Sequence, residues 1–524
     1  MSPGRGVRWG MAIAAVLAAT GPLRAQDSVS AVVDRLEAER DGALLWQAGG
    51  QLTPVARAVI ATLVGAGERG LEPADYAAGA LDSMARGMPV RGLTFGPVLD
   101  RRLTLSVAQY LHDLGRGRVP DTTFARGARR RPPLALESLV RSAADGVPLE
   151  TLARAVEPDL AQYRYLLRQL AYYRHLADST RFVPLPLVRR PVTVGRQYAG
   201  VPELRRRLEL LGDISPAPAP ADSTVYDAAL AAGVRLFQAR HSLVADGVLG
   251  PDTRYELNVS PRVRVRQLAL ALERLRWLPS LEGQRLVVVN VPAFELFAFD
   301  STGGRGAPAL EMPVVLGRAF DKRTPLLLAP MRTVQFRPYW NVPRSILRDE
   351  ILPVLERQPR YLAAERMEVV GPRDTVLGDT LTPEILRGLA AGTLRVRQRP
   401  GPWNALGRTK FSFPNLEDVY LHGTPDTAAF RLSRRDLSHG CIRVRDPVAL
   451  ATWALQGEGG WDLARVDSAL VGRDTATVAI PDGLSLLIFY TTAVATPDGQ
   501  VHFYRDYYGQ DRALLAALRA RRPR

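Results

Sequence analysis

Two hydrophobic textures divide this chain, and the division limits the folds open to it. Over residues 26 to 190, apolar side chains recur at three-and-four spacing. "SVSAVVDRLEAERDGALLW", "RLTLSVAQYLHDLGRGRV" and "LETLARAVEPDLAQYRYLLRQLAYYRHLA" all carry it. That period puts the apolar residues on one face of an α-helix. From Gln284 onward they come in short runs bounded by Gly and Pro, the texture of strands. "QRLVVVNVPAFELFAFD" reads as two strands about Pro292, and "LEMPVVLGR" and "MRTVQFRPYW" as others. In "LSLLIFYTTAVATPDGQVHFYRD" the Pro-Asp-Gly marks a hairpin turn. A chain of 524 residues is too long for one core, so helical and β-rich parts are expected as separate domains.

A third unit lies between them. "VPLPLVRRPVTVGRQYAG" breaks the helical pattern and reads as a linker. After it, residues 194–260 read as helix, loop, helix, turn and short helix. Leu204, Leu208 and Leu211 share one face, as do Leu230, Val234 and Phe237, and Pro251 and Asp252 open the last helix. An amphipathic helix follows, with Val265, Leu268, Leu272 and Leu275 as its apolar stripe. Within the β-rich part, residues 345–405 turn helical and polar again, the pattern of an insertion carried by a β domain. "DRALLAALRARR" reads as a terminal helix. His112 and His175 read as surface or satisfied core histidines, and His241 as a surface one.

The first residues have a different purpose. Arg5 and Arg8 precede an apolar stretch from Gly10 to about Leu23, and the small Ala25 precedes a polar start. That is the layout of a secretory signal peptide over residues 1–25. Cleavage would leave an exported chain with no stable membrane span. Its net charge is +16, and all but two of its 69 basic residues are arginine, the exceptions being Lys322 and Lys410. A basic surface suits nucleic acid, anionic lipid or an acidic polymer, and export argues against nucleic acid.

Export makes Cys441 unusual. It is the only cysteine, where exported proteins carry cysteines in disulfide pairs. It stands in "LHGTPDTAAFRLSRRDLSHGCIRV", which also holds His422 and His439. "EDVYLH" reads as a strand ending at His422, and "SHGCIRVRD" returns the chain to a helix capped by Asp446 with Pro447 at its first position. Gly440 gives the turn its backbone freedom. A thiol attacks as thiolate and needs a base or a positive field nearby. His422 is the candidate base, and Arg434, Arg435, Arg443 and Arg445 are the candidate field. Two other readings stay open at this level: an inert cysteine in a turn, and a zinc site from His422, His439 and Cys441 that lacks a clear fourth ligand.

Two stretches resemble known families. Leu210-Leu211-Gly212, Phe237-Gln238, Asp246-Gly247 and Gly250-Pro251 resemble a three-helix peptidoglycan-binding domain. His422, then fifteen residues, then Ser438-His439-Gly440-Cys441 resembles the catalytic motif of the L,D-transpeptidases. "MPVVLGRAFDKRTP", "PYWNVPRSI", "RQRPGPWNALGRTKFSFPN" and "VYLHGTP" extend the likeness to that family's large periplasmic branch.

The resemblance implies a multidomain α+β chain. Residues 1–25 would be a signal peptide, 26–190 a helical scaffold and 194–260 a peptidoglycan-binding domain. Residues 283–495 would form the β-rich catalytic domain, a β-sandwich or mixed sheet with a helical capping insertion at about 345–405, and 496–524 a C-terminal hairpin strand and helix. It further implies Cys441 as nucleophile, His422 as general base, and the Gly423 carbonyl as the group that orients the imidazole. Ser438, His439 and Gly440 would shape the site, with backbone groups near Gly440 and Cys441 as oxyanion donors. Arg443, Tyr339, Trp340 and Asn341 would meet substrate; many relatives have asparagine where this chain has Arg443.

The implied reaction is 3→3 cross-linking of peptidoglycan stem peptides through a thioester, in the periplasm, without metal or cofactor. The same acyl-enzyme would serve an L,D-carboxypeptidase or a lipoprotein-attaching enzyme. A non-catalytic wall-binding scaffold is the reading from another class.

Overall fold

The computed structural model describes residues 29–120, 133–216, 224–281, 283–301, 308–457, 459–472, 474–480 and 483–521. The expected signal peptide lies outside them. The chain divides into two compact units: the first reaches Gly65, takes in Pro73–Leu114 and ends at Val156, and the second takes in Ala66–Glu72 and everything from Glu157.

The first unit is built from the helices Val29–Ala38, Pro54–Val64, Ala78–Ala85, Pro97–Arg116, Leu136–Ala144 and Leu149–Val156. Trp46 is completely buried at its centre. Its backbone N–H donates to Asp100 Oδ1 at 2.9 Å and its indole N–H to Thr104 Oγ1 at 2.9 Å, so the largest side chain of that core leaves no polar atom unpaired.

In the second unit the helix Ala161–Ser179 packs on Pro261–Trp277. Leu166, Leu170 and Tyr173 meet the expected stripe of Leu268, Leu272 and Leu275. The three-helix part consists of Val201–Leu210, Ala228–Ala239 and Pro251–Leu257. Gln238 explains its turn: Oε1 accepts from Gly247 N at 2.8 Å, and Nε2 donates to Asp246 Oδ1 at 2.9 Å and Val248 O at 3.0 Å.

Two expectations change here. Residues 183–200 are no free linker, because Leu185, Val188, Val192 and Tyr198 lie in the core of the three-helix part and Val192 pairs with Leu249. His241 is buried rather than on the surface. It stacks on Phe237 at 3.8 Å between centroids, and its Nδ1 is 2.7 Å from the Phe237 carbonyl. In both places alternating proline and apolar residues, or one polar residue in a helix, gave no local sign of the surface that covers them.

The β-rich part forms one mixed sheet of eleven strands among the described residues. They are β1 (Arg285–Asn290), β2 (Glu295–Phe299), β3 (Leu310–Gly317), β4 (Leu327–Pro330), β5 (Thr333–Phe336), β6 (Thr409–Ser412), β7 (Leu421–His422), β8 (Asp436–Ser438), β9 (Ile442–Val444), β10 (Ala476–Ala479) and β11 (Leu484–Phe489). The order is β10-β5-β6-β7-β9-β3-β2-β1-β11-β4, with β8 alongside β3. Strands β4 and β5 lie near opposite ends of that order, yet only Met331 and Arg332 separate them. The sheet therefore has to curl until its two ends approach. The core inside holds Val287, Leu296, Val314, Phe336, Phe411, Leu421, Ile442 and Leu486. Asp446 caps the helix Pro447–Ala454 as expected, accepting from Ala449 N at 2.9 Å.

The insertion departs from the helical expectation. Besides its helices it holds the strands Met367–Val370, Val376–Gly378 and Arg395–Gln398, which form a separate four-stranded sheet with Trp340–Asn341. Its own core includes Leu355, Leu362, Val369 and Val396. Strands of three or four residues are too short for alternation to stand out, so the sequence read the stretch as polar helix. No helix of the described residues is long and apolar enough to cross a membrane.

Candidate active site

Three short strands build the site. Phe411 of β6 lies opposite Leu421 of β7, and Leu421 opposite Ile442 of β9. These three point into the core and are completely buried. Side chains alternate along a strand, so the next positions face the other way. Register places Lys410 opposite His422 and His422 opposite Arg443 on that other face. Tyr420 and Cys441, each one residue before its strand, fall on the same side. The bond from Ile442 N to Tyr420 O at 3.0 Å holds the two chains abreast.

Strand β7 is shorter than "EDVYLH" suggested. Asn415 takes the place of a ladder partner: its Oδ1 accepts from Val419 N at 2.8 Å and its Nδ2 donates to Val419 O at 2.7 Å. The loop before Tyr420 is thereby closed on itself.

His422 is 5% exposed, and its Nδ1 lies 2.5 Å from the Gly423 carbonyl. A carbonyl only accepts, so this contact fixes the proton on Nδ1 and leaves Nε2 with a lone pair. Burial presses the His422 pKa down to about 3, and the Arg443 and Lys410 cations push the same way against the Gly423 hydrogen bond. The ring is therefore neutral at ordinary pH. Burial pushes the Cys441 thiol up, while hydrogen bonds with Tyr420 and the Lys410 charge pull it down. Both shifts favour the neutral thiol and the neutral imidazole before reaction.

The loop around the cysteine is tied on every side. Ser438 Oγ donates to the Cys441 carbonyl at 2.6 Å and accepts from Gly440 N at 3.1 Å. Gly440 has φ +123°, a conformation that side-chain-bearing residues rarely adopt. Its carbonyl accepts from Thr324 Oγ1 at 2.8 Å, and Thr324 Oγ1 accepts from Gly317 N at 2.9 Å. The Tyr508 hydroxyl completes the square, donating to Gly317 O at 2.6 Å and accepting from Thr324 N at 3.2 Å. The Nε2 of His439 meets Glu350 Oε1 of the insertion at 2.5 Å.

Other expected residues have other partners. Arg434 pairs with Asp436 at 2.6 Å, and buried Arg435 pairs with Glu295 at 2.8 Å and donates to Phe294 O. Neither is a spare cation for the thiol, because each neutralises a carboxylate of its own. Tyr339 lies under Arg397, with 4.2 Å from guanidinium to ring, and Asn341 Oδ1 accepts from Arg395 at 2.9 Å. Trp340 packs on the insertion's core. These three belong to the insertion's sheet rather than to the β7–β9 face. Sequence reasoning missed Lys410, Tyr420, Thr324 and Tyr508. Lysine's rarity in this chain was the one available signal.

Residues 284–468 match the family model of the L,D-transpeptidase catalytic domain. The chain thus carries an L,D-transpeptidase catalytic domain over those residues. Residues 197–257 match a peptidoglycan-binding domain, and residues 33–170 a scaffold domain. A Haemophilus influenzae protein provisionally named an L,D-transpeptidase is 29% identical over 255 residues, 48% of this chain and 49% of that protein. The chain thus spans about half the length of the relative it matches. Among the described residues no group of three His, Cys, Asp or Glu is placed to hold a metal ion.

Proposed function

We propose that the chain is a cysteine-dependent L,D-transpeptidase that forms 3→3 cross-links between peptidoglycan stems outside the cytoplasm, after loss of residues 1–25. The observation that carries the reading is the His422 ring. It is neutral, fixed by the Gly423 carbonyl, and set on the same sheet face as Cys441. Cys441 Sγ attacks the carbonyl of the third stem residue, a diaminopimelate, as His422 Nε2 takes the thiol proton. The Sγ–C bond forms, the C–N bond to the terminal D-Ala breaks, and the proton passes to the departing amine. A second stem's side-chain amine then attacks the thioester, gives its proton to His422, and releases the sulfur. Gly440 N–H is already given to Ser438 Oγ, so the Cys441 N–H is the donor left in this turn for the oxyanion. The residues 197–257 would hold the glycan mesh near the site, and Arg443 would meet the acidic stem.

Intact-protein mass spectrometry with a carbapenem tests nucleophile and class together. An adduct on the wild type and none on Cys441→Ala is expected; an adduct on both, or on neither, overturns the reading. Muropeptide analysis separates the acceptors. A cross-linked dimer supports the transpeptidase, whereas a shortened stem or a stem-bound protein means that the same acyl-enzyme serves water or a protein amine.

A further inference from the structure

The chain uses arginine for its basic residues almost without exception, and its two lysines both lie near the nucleophile. Lys322 is in the loop that packs on the cysteine turn: its carbonyl is 1.9 Å from where a Cβ on Gly317 would stand, and 3.9 Å from the same point on Gly440. Lys410 is on β6, opposite His422. Its Nζ lies 3.9 Å from the centroid of the Tyr420 ring. Tyr420 and Cys441 stand abreast one residue before strands β7 and β9, joined by the bond from Ile442 N to Tyr420 O at 3.0 Å. The Tyr420 and His422 rings are 5.7 Å apart.

We propose that Lys410 is a positioning residue for the nucleophile: seated on the Tyr420 ring, it polarises that phenol toward Cys441 and stabilises the sulfur anion as it forms. The proposal rests on the reading of Cys441 as the nucleophile. A cation over an aromatic face is attracted by the ring quadrupole, which fixes the ammonium while leaving its charge uncancelled. It also draws electron density from the ring, so the phenol becomes a stronger hydrogen-bond donor to the sulfur.

The charged and titratable groups around the thiol come from β6, from β7 and its approach, and from β9. Lys410 comes from β6, Asp418 from the loop before β7, Tyr420 and His422 from β7 and its approach, and Arg443 from β9. Asp418 opposes ionisation of the thiol, and burial does so most strongly. His422 accepts the proton but is neutral at rest, so it supplies no field before transfer. Lys410 and Tyr420 are the groups that favour the anion beforehand.

The test reads thiol ionisation rather than turnover. The rate of Cys441 alkylation by iodoacetamide is measured against pH in the full chain, for the wild type, Lys410→Met, Lys410→Arg and Tyr420→Phe. Lys410→Met is expected to move the profile upward by about one pH unit, roughly a tenfold slower reaction at neutral pH. Lys410→Arg restores charge and is expected to recover most of that loss, a rescue that a purely structural role does not predict. Should the Met variant fail to fold, Tyr420→Phe keeps the lysine and breaks the link, with the same upward shift expected. An unchanged profile in the folded variants overturns the proposal. Loss of the carbapenem adduct's dependence on Cys441 would instead overturn the functional reading, so the two failures are distinct.

Discussion

Thr324 Oγ1 donates a hydrogen bond of 2.8 Å to the carbonyl of Gly440, the residue before the candidate nucleophile. Thr324 is 2% exposed, and the bond joins the loop after β3 to the turn between β8 and β9. A carbonyl held in this way fixes the Gly440–Cys441 peptide plane, and with it the direction of the Cys441 N–H. Preorganised donors of that kind carry much of the rate in acyl transfer.

Thr324→Val keeps the shape but leaves the Gly440 carbonyl and the Gly317 N–H without this partner. The expected cost is about 1–3 kcal/mol of stability. Carbapenem acylation should slow more than tenfold in the protein that remains folded, because the peptide plane loses its anchor. Urea unfolding and stopped-flow acylation on the same sample check both parts.

Gly317 tolerates no side chain. A Cβ there would stand 1.9 Å from Lys322 O, 2.7 Å from Thr324 N and 2.9 Å from Gly440 Cα. All three are backbone atoms, so no rotamer change relieves the clash. Gly317→Ala is expected to cost about 1–3 kcal/mol or more and to slow acylation by displacing the cysteine turn. A variant with wild-type melting temperature and wild-type acylation would contradict this packing.

His422 makes stability depend on pH. Its pKa in the folded chain, about 3, lies below the ordinary histidine value near 6.5. A group whose folded pKa is depressed contributes stability that is complete above the unfolded value and is lost as pH falls toward the folded one. Stability should therefore fall from about pH 6.5 toward pH 3, and His422→Gln should remove part of that slope. Buried His241 and His502, also shifted down, retain the remainder in the variant. Chemical denaturation at a series of pH values measures the difference.

Glu350 and His439 form a partly exposed pair between the insertion and the motif, with side chains 51% and 30% exposed. Exposed ion pairs are worth little, since water screens them and both side chains lose freedom. Glu350→Ala should change global stability by less than about 1 kcal/mol. A larger loss in urea unfolding would mean that the insertion depends on this contact to stay folded.

The sequence by itself determined the local elements and the spacing of the motif. Three-and-four periodicity marked the N-terminal helices, and "DPVALATWAL" marked a capped helix, because these depend on residues within a turn or two of each other. Cys441, His422 and Gly440 were legible for a similar reason: one unpaired thiol, a histidine and a glycine turn are chemically conspicuous, whereas Gly423 came only with the family resemblance. The tertiary structure alone decided what surrounds them. Thr324 meets Gly440 across 116 residues, and Tyr508 meets Gly317 across 191. Lys410 joins the site only because β6 pairs with β7 in one register, where a shift of a single residue would send it into the core. Strand order and register are set by how the whole sheet curls round its core, and no local window of sequence contains that information.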